Sequence, residues 1–361
     1  MPDHNAIDRR VFFKTAGAGI GAAGMALSPA AAAPPPATQA EKLARLASNT
    51  WPIRYIFKSR TGFGRNPRTQ ALKEKYGELT MLDFPQFTKD TFPGVTHMDL
   101  FSGLFGDIND NSMYENVPTV VGAQTRTSQE FDPASASGKA WLDKLAAKMA
   151  ATGTKCQHIS NNAPRDICEA DEARRKAGIA VAKKWLDGAK IIGAKSMRVN
   201  SGGPRILPDP VNGPDGYPKA DELAGYLRRC IESFKEMADH GGKVGVKVTL
   251  ENHWGLTANP MNIRIIVDEV GSPWCEASPD FCNWEHEYLM YNGLKALAPY
   301  AHTNVHAKYW SRWGDNNNVA RSVKIMEAGG FKGTYALEYE EGPWDGVEGA
   351  KYLYKEVLAA L

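Results

Sequence analysis

The sequence predicts an α/β fold, an eight-stranded (β/α)8 TIM barrel with long loops on its C-terminal face. Three observations predict it. From residue 46 onward, short apolar runs alternate with amphipathic helical stretches, which means a parallel sheet. There are eight such runs, the number that closes a barrel. Four side chains able to ligate a metal close four consecutive runs: Glu251 in VTLENHWG, Asp280 in SPDFCNW, His306 in NVHAKYW and Glu338 in YALEYEEG. Their gaps are 29, 26 and 32 residues. One βα unit takes about 31 residues when ~250 residues make eight, and strand ends of such a barrel converge on one face.

The elements follow in order. WPIRYIF (51–57) reads as the first strand, 82–92 as a helix and VTHMDLF (95–101) as the second strand. GKAWLDKLAAKMAATG (138–153) places Trp141, Leu142, Leu145 and Met149 on one helical face, with Gly153 as its stop. KCQHIS (155–160) is the third strand, Glu172 to Ile192 a long helix and KSMRVN (195–200) the fourth strand. Residues 219–240 form a helix with Leu223, Leu227, Cys230, Ile231, Phe234 and Met237 inward. Residues 244–252, 274–280, 302–308 and 334–340 complete the strands. Two segments exceed what a connection needs: 102–136, and SGGPRILPDPVNGPDGYP (201–218). Both follow strands, so both fall on the face where loops shape a pocket.

The first 33 residues do not read as part of the barrel. Asp8-Arg9-Arg10-Val11-Phe12-Phe13-Lys14, the apolar run Thr15 to Leu27 and the small residues Ala30 to Ala33 occur in that order. They resemble a twin-arginine export signal, with Asp8 and Phe13 in place of the usual Ser and Leu. The apolar run is too short for a membrane span of ~20 residues. The resemblance implies periplasmic or secreted protein, passed through the twin-arginine machinery and not held in a membrane. Residues 34–45 read as a linker and 46–361 as one domain. Net charge is +2, falling to +1 without residues 1–33, which suggests no nucleic-acid partner. The five cysteines are odd in number and form no CxxC pair. Twin-arginine substrates are exported folded, so their thiols pass through a reducing cytosol. They read as small buried apolar residues, with a Cys156–Cys168 bridge left open. Assembly into an oligomer also stays open.

Three carboxylates and one imidazole brought to one barrel mouth suit a single divalent cation: Mn²⁺, favoured, or Mg²⁺, Co²⁺ or Zn²⁺. Shifting a carbonyl, or inverting a centre beside one, requires taking a proton from carbon, and a cation stabilises the enediolate that results. Two carboxylates on opposite faces of the substrate, Glu251 and Glu338, then take and return the proton. His158, Asn200 and Asn252 end strands and His253 follows closely, so each is a candidate contact to substrate hydroxyls. Trp254, Trp284, Trp310 and Trp313 lie around the ligands in sequence, as sugar-stacking faces or as core.

In order and spacing, ENHWG, PDFCN, HAK and ALEYEEG resemble the xylose-isomerase-like TIM-barrel superfamily of sugar isomerases and epimerases. The resemblance covers most of 46–361 and is strongest from about residue 190. It implies that Glu251, Asp280, His306 and Glu338 bind one metal, that Glu251 and Glu338 exchange protons with the substrate, and that Arg312 and Lys308 contact it. The family often shows Asp-x-x-His after the sixth strand. Here the run is Asp280-Phe281-Cys282-Asn283, and Asn283 is left to hydrogen-bond a hydroxyl. The additional histidines of the multi-zinc endonuclease branch, including a later Asp-x-His, are not found. The expected activity is that of an exported metal-dependent sugar isomerase or epimerase. The alternatives are a 3-keto-glycoside eliminase (a lyase) using the same site, or a sugar-binding barrel without catalysis.

Overall fold

A computed structural model describes residues 37–60, 63, 68–121, 124–203 and 220–361. The expected export signal (1–33) and residues 204–218 of the second long segment lie outside the described residues. Eight parallel strands form one sheet: β1 (Leu46–Asn49), β2 (His97–Phe101), β5 (Lys155–Ser160), β6 (Ser196–Arg198), β7 (Lys247–Leu250), β8 (Cys275–Ala277), β9 (Asn304–Trp310) and β10 (Thr334–Glu341). A two-stranded antiparallel hairpin, β3 (Tyr114–Val121) and β4 (Gln124–Phe131), stands apart from it. The sheet runs β8-β7-β6-β5-β2-β1-β10-β9. It closes just beyond the end of β8, where Asp280 bridges His306 of β9: His306 N donates to Pro279 O and Phe281 N to His306 O, each at 3.1 Å. The seam that closes the barrel therefore joins two of the expected ligands.

The helices are α1 (Gln39–Leu43), α2 (Thr69–Tyr76), α3 (Phe84–Thr91), α4 (Ala136–Thr152), α5 (Glu172–Ile191), α6 (Ala220–Val244), α7 (Pro260–Val270), α8 (Glu287–Leu297), α9 (Val319–Ala328) and α10 (Gly346–Ala360). Most obey capping chemistry legible in the sequence. Ser135 and Asp171 accept from Gly138 N and Arg174 N at the starts of α4 and α5, and Asp345 accepts from Val347 N and Glu348 N at α10. Gly153 ends α4 with φ of 70°, a left-handed turn that residues with a Cβ rarely adopt. No described helix is long and apolar enough to cross a membrane. All five cysteines are buried and free. Within the segment expected as linker, α1 carries a capping box from Thr38, and Arg45 pairs with Glu327 at 2.6 Å.

Two expectations are corrected. The first strand is not WPIRYIF: β1 is LASN, and Arg54–Ile56 form a 3₁₀ turn. Trp51 N donates to Asn49 Oδ1 at 2.7 Å, turning the chain at the strand end, and Pro52 has no donor to offer a ladder. The aromatic run wraps Arg54 instead, whose guanidinium lies 4.1 Å from the Trp51 ring and 4.6 Å from that of Tyr55. The segment 102–136 is not merely a loop, since it holds the β3–β4 hairpin. Lys184 of α5 ties that hairpin down through Glu115 at 2.7 Å.

Candidate metal centre

The four expected ligands meet. Glu251 directly follows the carboxyl end of β7 and Asp280 lies just beyond that of β8, His306 lies within β9 and Glu338 within β10, and all four are buried. His306 Nδ1 faces three carboxylate oxygens: Glu338 Oε2 at 3.3 Å, Glu251 Oε1 at 3.4 Å and Asp280 Oδ2 at 3.8 Å. His306 Nδ1 and Asp280 Oδ2 have no hydrogen-bond partner, although both are sealed from solvent. Asp280 Oδ2 has Lys308 Nζ at 3.6 Å but no hydrogen bond, and burying a carboxylate oxygen so poorly satisfied is costly, which a cation offsets. The residues present thus fit a divalent cation. Glu251, Asp280 and His306 each offer an atom within 4.8 Å of the others, a group that does not include Glu338, which joins it through His306.

Neighbouring groups orient each ligand. The His306 ring is fixed by Asp99 at the middle of β2, whose Oδ2 accepts from His306 Nε2 at 2.9 Å and from Asn304 Nδ2 at 2.9 Å. Asp99 Oδ1 accepts from Ser160 Oγ at 2.8 Å. With Nε2 holding its proton toward Asp99, Nδ1 is left with the lone pair a metal requires. Asp99, His158 and His306 also lie close enough to suggest a second metal group. The hydrogen bonds to Asp99 account for that cluster without one.

Asp280 is held by its own turn: Oδ1 accepts from Cys282 N at 2.6 Å and Asn283 N at 2.8 Å. Asn252 clamps the same turn, its Oδ1 accepting from Asp280 N at 2.7 Å and its amide donating to Asp280 O and Asn283 O. Trp313 Nε1 donates to Cys282 O, and Trp284 Nε1 to Phe281 O. Trp284 packs close against α8 because residue 293 is glycine; a Cβ there would sit 2.4 Å from its ring. Only Asp280 Oδ2 is left facing the centre.

The two glutamates are held alike. Each aims one oxygen at the centre and gives the other to a buried cation. Glu251 Oε2 accepts from Arg198 Nη1 at 2.5 Å, and Glu338 Oε1 from Lys308 Nζ at 2.9 Å. Lys308 also meets Glu340 Oε2 at 3.0 Å and Asn283 Oδ1 at 3.1 Å, which occupies its three N–H donors. Glu340 in turn accepts from Trp51 Nε1 at 2.6 Å and Arg54 Nη2 at 3.2 Å.

The charges are strongly interdependent. Burial raises the Glu251 carboxyl, but Arg198 and His306 outweigh it and hold it well below the usual range. Burial pushes Asp280 up to about 7, with Lys308 pulling the other way. Burial would lower His306, yet Glu338, Glu251 and Asp99 raise it well above the ordinary imidazole value. Positive charge is thus drawn to the point on which the four ligand atoms converge.

The other expected contacts are placed as follows. Lys308 is buried, with its donors on Glu338, Glu340 and Asn283. Asn283 donates to Glu251 Oε1 at 2.8 Å, bridging it to Lys308. His158 is fully buried beneath the centre, its Nδ1 on Ser196 Oγ at 2.8 Å and its ring edge-on to His306, away from the mouth. Asn200 is half-buried and donates to the carbonyls of Asn161 and Asn162, holding the loop after β5. His253 is half-buried, beside the exposed Trp254. Arg312 is exposed on the turn after β9, 4.5 Å from the Trp310 ring and 4.4 Å from that of Trp313. Trp284 and Trp313 are buried packing residues, which leaves Trp254 and Trp310 as the faces of the original four open to a ligand. The sequence reading missed Asp99, Arg198 and Glu340. Each had a usable signal, a charged residue inside or closing a short apolar run.

Among known proteins, the pattern of the xylose isomerase-like TIM barrel family matches residues 121–359. The structure of an L-ribulose 3-epimerase superposes with a TM-score of 0.57 at 14% identity, covering 88% of this chain and 94% of that one. A D-tagatose 3-epimerase-like protein gives 0.52 at 13% identity, covering 73% and 89%. A xylose isomerase-like TIM barrel protein from Mycobacterium smegmatis, in complex with magnesium, gives 0.51 at 14%, covering 89% and 98%. No curated protein sequence matches the chain. The structural likenesses, at such low identity, speak to the fold. With the family pattern spanning more than half of its length, this chain belongs to the xylose isomerase-like TIM barrel family.

Proposed function

We propose that the protein is an exported, divalent-metal-dependent sugar isomerase or epimerase that moves a proton on the carbon beside a carbonyl. The observation that carries this reading is the convergence of His306 Nδ1 with one oxygen each of Glu251, Asp280 and Glu338, two of the four atoms, His306 Nδ1 and Asp280 Oδ2, having no hydrogen-bond partner. Two solved structures of similar fold are an L-ribulose 3-epimerase and a D-tagatose 3-epimerase-like protein, which supports a sugar substrate. The oxygen-rich ligand set favours Mn²⁺ or Mg²⁺ over thiolate-seeking metals. A divalent cation supplies stabilisation for the negative charge that develops on oxygen when the proton leaves carbon.

The chain's own residues do the rest. Glu251 and Glu338 stand three strands apart around the ring, close enough to share the centre and far enough apart to meet a substrate from two sides. Each carboxylate oxygen carries two lone pairs. An oxygen that already accepts from Arg198 or Lys308 therefore keeps one with which to take a proton. The burial of the site keeps bulk water from the carbanion face. In this reading Arg312, steadied by two indole rings, and the exposed Trp254 contact the outer part of the sugar.

The test is deuterium wash-in with keto-sugars and 3-keto-glycosides. Glu251→Gln and Glu338→Gln should lose at least ~100-fold in turnover, the usual scale for acid–base groups, while losing far less metal. Solvent deuterium should enter the product beside the carbonyl. Release of an aglycone would favour the eliminase reading, and sugar binding with neither event would favour a binding protein.

A further inference from the structure

Asn161 and Arg198 lie on the flank of the centre next to Glu251. Asn161 directly follows β5 and is 1% exposed; Arg198 ends β6 and is 8% exposed. The guanidinium uses two of its three nitrogens: Nη1 on Glu251 Oε2 at 2.5 Å, and Nη2 on the Asn161 carbonyl at 3.2 Å. Its Nε has no partner. One of the two Nη2 hydrogens shares an edge of the planar fork with Nε–H, and Nη2 is the nitrogen that touches Asn161. The amide of Asn161 spends its Nδ2 on Ala163 O, and its Oδ1 has no partner either.

A free donor and a free acceptor on two touching residues, both buried, call for a partner that accepts one hydrogen bond and donates another. An anion would satisfy Arg198 but oppose Asn161 Oδ1, and an ammonium would do the reverse. An ether or carbonyl oxygen could only accept. A hydroxyl accepts from Nε–H and donates to Oδ1 with one oxygen. Leaving both groups unsatisfied is costly in a dry site, which makes such a pair a strong selector for the ligand that carries the hydroxyl.

We propose that Arg198 Nε and Asn161 Oδ1 form a hydroxyl-binding pair that selects one hydroxyl of the sugar substrate and sets its placement against Glu251. The proposal deepens the sugar isomerase or epimerase reading and rests on it. Asn161 is the residue to vary, because Arg198 also holds a metal ligand.

The experiment measures dissociation constants and kcat/KM of the metal-loaded protein for a turned-over keto-sugar and its monodeoxy analogues, with metal content checked in each variant. Wild type should discriminate roughly ten-fold or more against one analogue, the scale of a single hydrogen-bonded hydroxyl. In Asn161→Ala that discrimination should shrink to about two-fold or less, while the other analogues keep their ranking. Asn161→Asp, which retains an acceptor oxygen, should restore it. If Asn161→Ala weakens the parent sugar and every analogue by the same factor, the residue only supports its loop, the pair holds an ordered water, and the proposal is overturned with the functional reading intact. If wild type with full metal neither binds nor converts any keto-sugar, the functional reading itself falls and takes the proposal with it.

Discussion

Asp99→Asn is the perturbation with the best-defined outcome. The carboxylate is fully buried and accepts from His306 Nε2, Asn304 Nδ2 and Ser160 Oγ at 2.9, 2.9 and 2.8 Å. An asparagine can keep this geometry, with its amide oxygen toward His306 and its NH₂ toward the serine oxygen. What it removes is the charge. Hydrogen bonds to charged groups contribute about 1.5–3 kcal/mol against about 0.5–1.5 for neutral ones, so the His306 contact weakens by about 1–1.5 kcal/mol. At 1.4 kcal/mol per decade, the imidazole should bind metal about ten-fold less tightly. Asp99→Ala, which also frees the ring, should lie toward the upper end of the ~10–100-fold range for outer partners of ligating histidines. Chelator-competition titrations give the constants, and circular dichroism checks the fold. Affinity within about two-fold of wild type in folded Asp99→Asn would refute the claim that Asp99 prepares His306 for the metal.

Lys308→Met should cost about 3–5 kcal/mol in denaturant unfolding, because it strands Glu338 and Glu340 beside Asp280 without their shared buried cation; a loss under about 1 kcal/mol would show that Lys308 is dispensable. Metal affinity should fall as pH drops from about 8 to 5. Asp280, lifted to about 7, and His306, raised above its usual value, hold protons that the metal must displace, and calorimetry in buffers of different ionisation enthalpy should register their release. A pH-independent affinity without proton release would contradict this. Replacing Arg9 and Arg10 with Lys should leave unprocessed precursor in the cytoplasm, and normal export of that variant would remove the twin-arginine reading.

The barrel from β5 onward was legible because its strands are short, buried on both faces and punctuated by helix caps and glycines. KCQHIS coincides with β5, and the ligand-bearing β9 and β10 fall within two residues of expectation. The first strand was not legible. LASN has little apolar character: its Ser48 turns outward to Thr88 of α3 at 2.7 Å, while Asn49, on the opposite face, serves Glu338 through a 3.4 Å contact. WPIRYIF looked more strand-like because packing a buried arginine takes the same aromatic residues as a strand. The hairpin was hidden by its polar sequence and by Pro118 inside β3, which a pairing edge tolerates but a sequence pattern penalises. The metal ligands could be read from their spacing, which the repeat imposes. Their supports, Asp99, Arg198 and Glu340, were legible only as charged residues in or closing apolar runs; which ligand each one serves is set only once the barrel closes.

The central claim is that one divalent cation occupies the barrel mouth on four particular atoms. A crystal structure of the protein loaded with Mn²⁺ tests it most directly. A single ion per chain should be bound by His306 Nδ1, Glu251 Oε1, Asp280 Oδ2 and Glu338 Oε2 at ~2.0–2.6 Å, with His306 Nε2 still on Asp99. A cation bound elsewhere, or these four side chains spread more than roughly 6 Å from a common point, would contradict it.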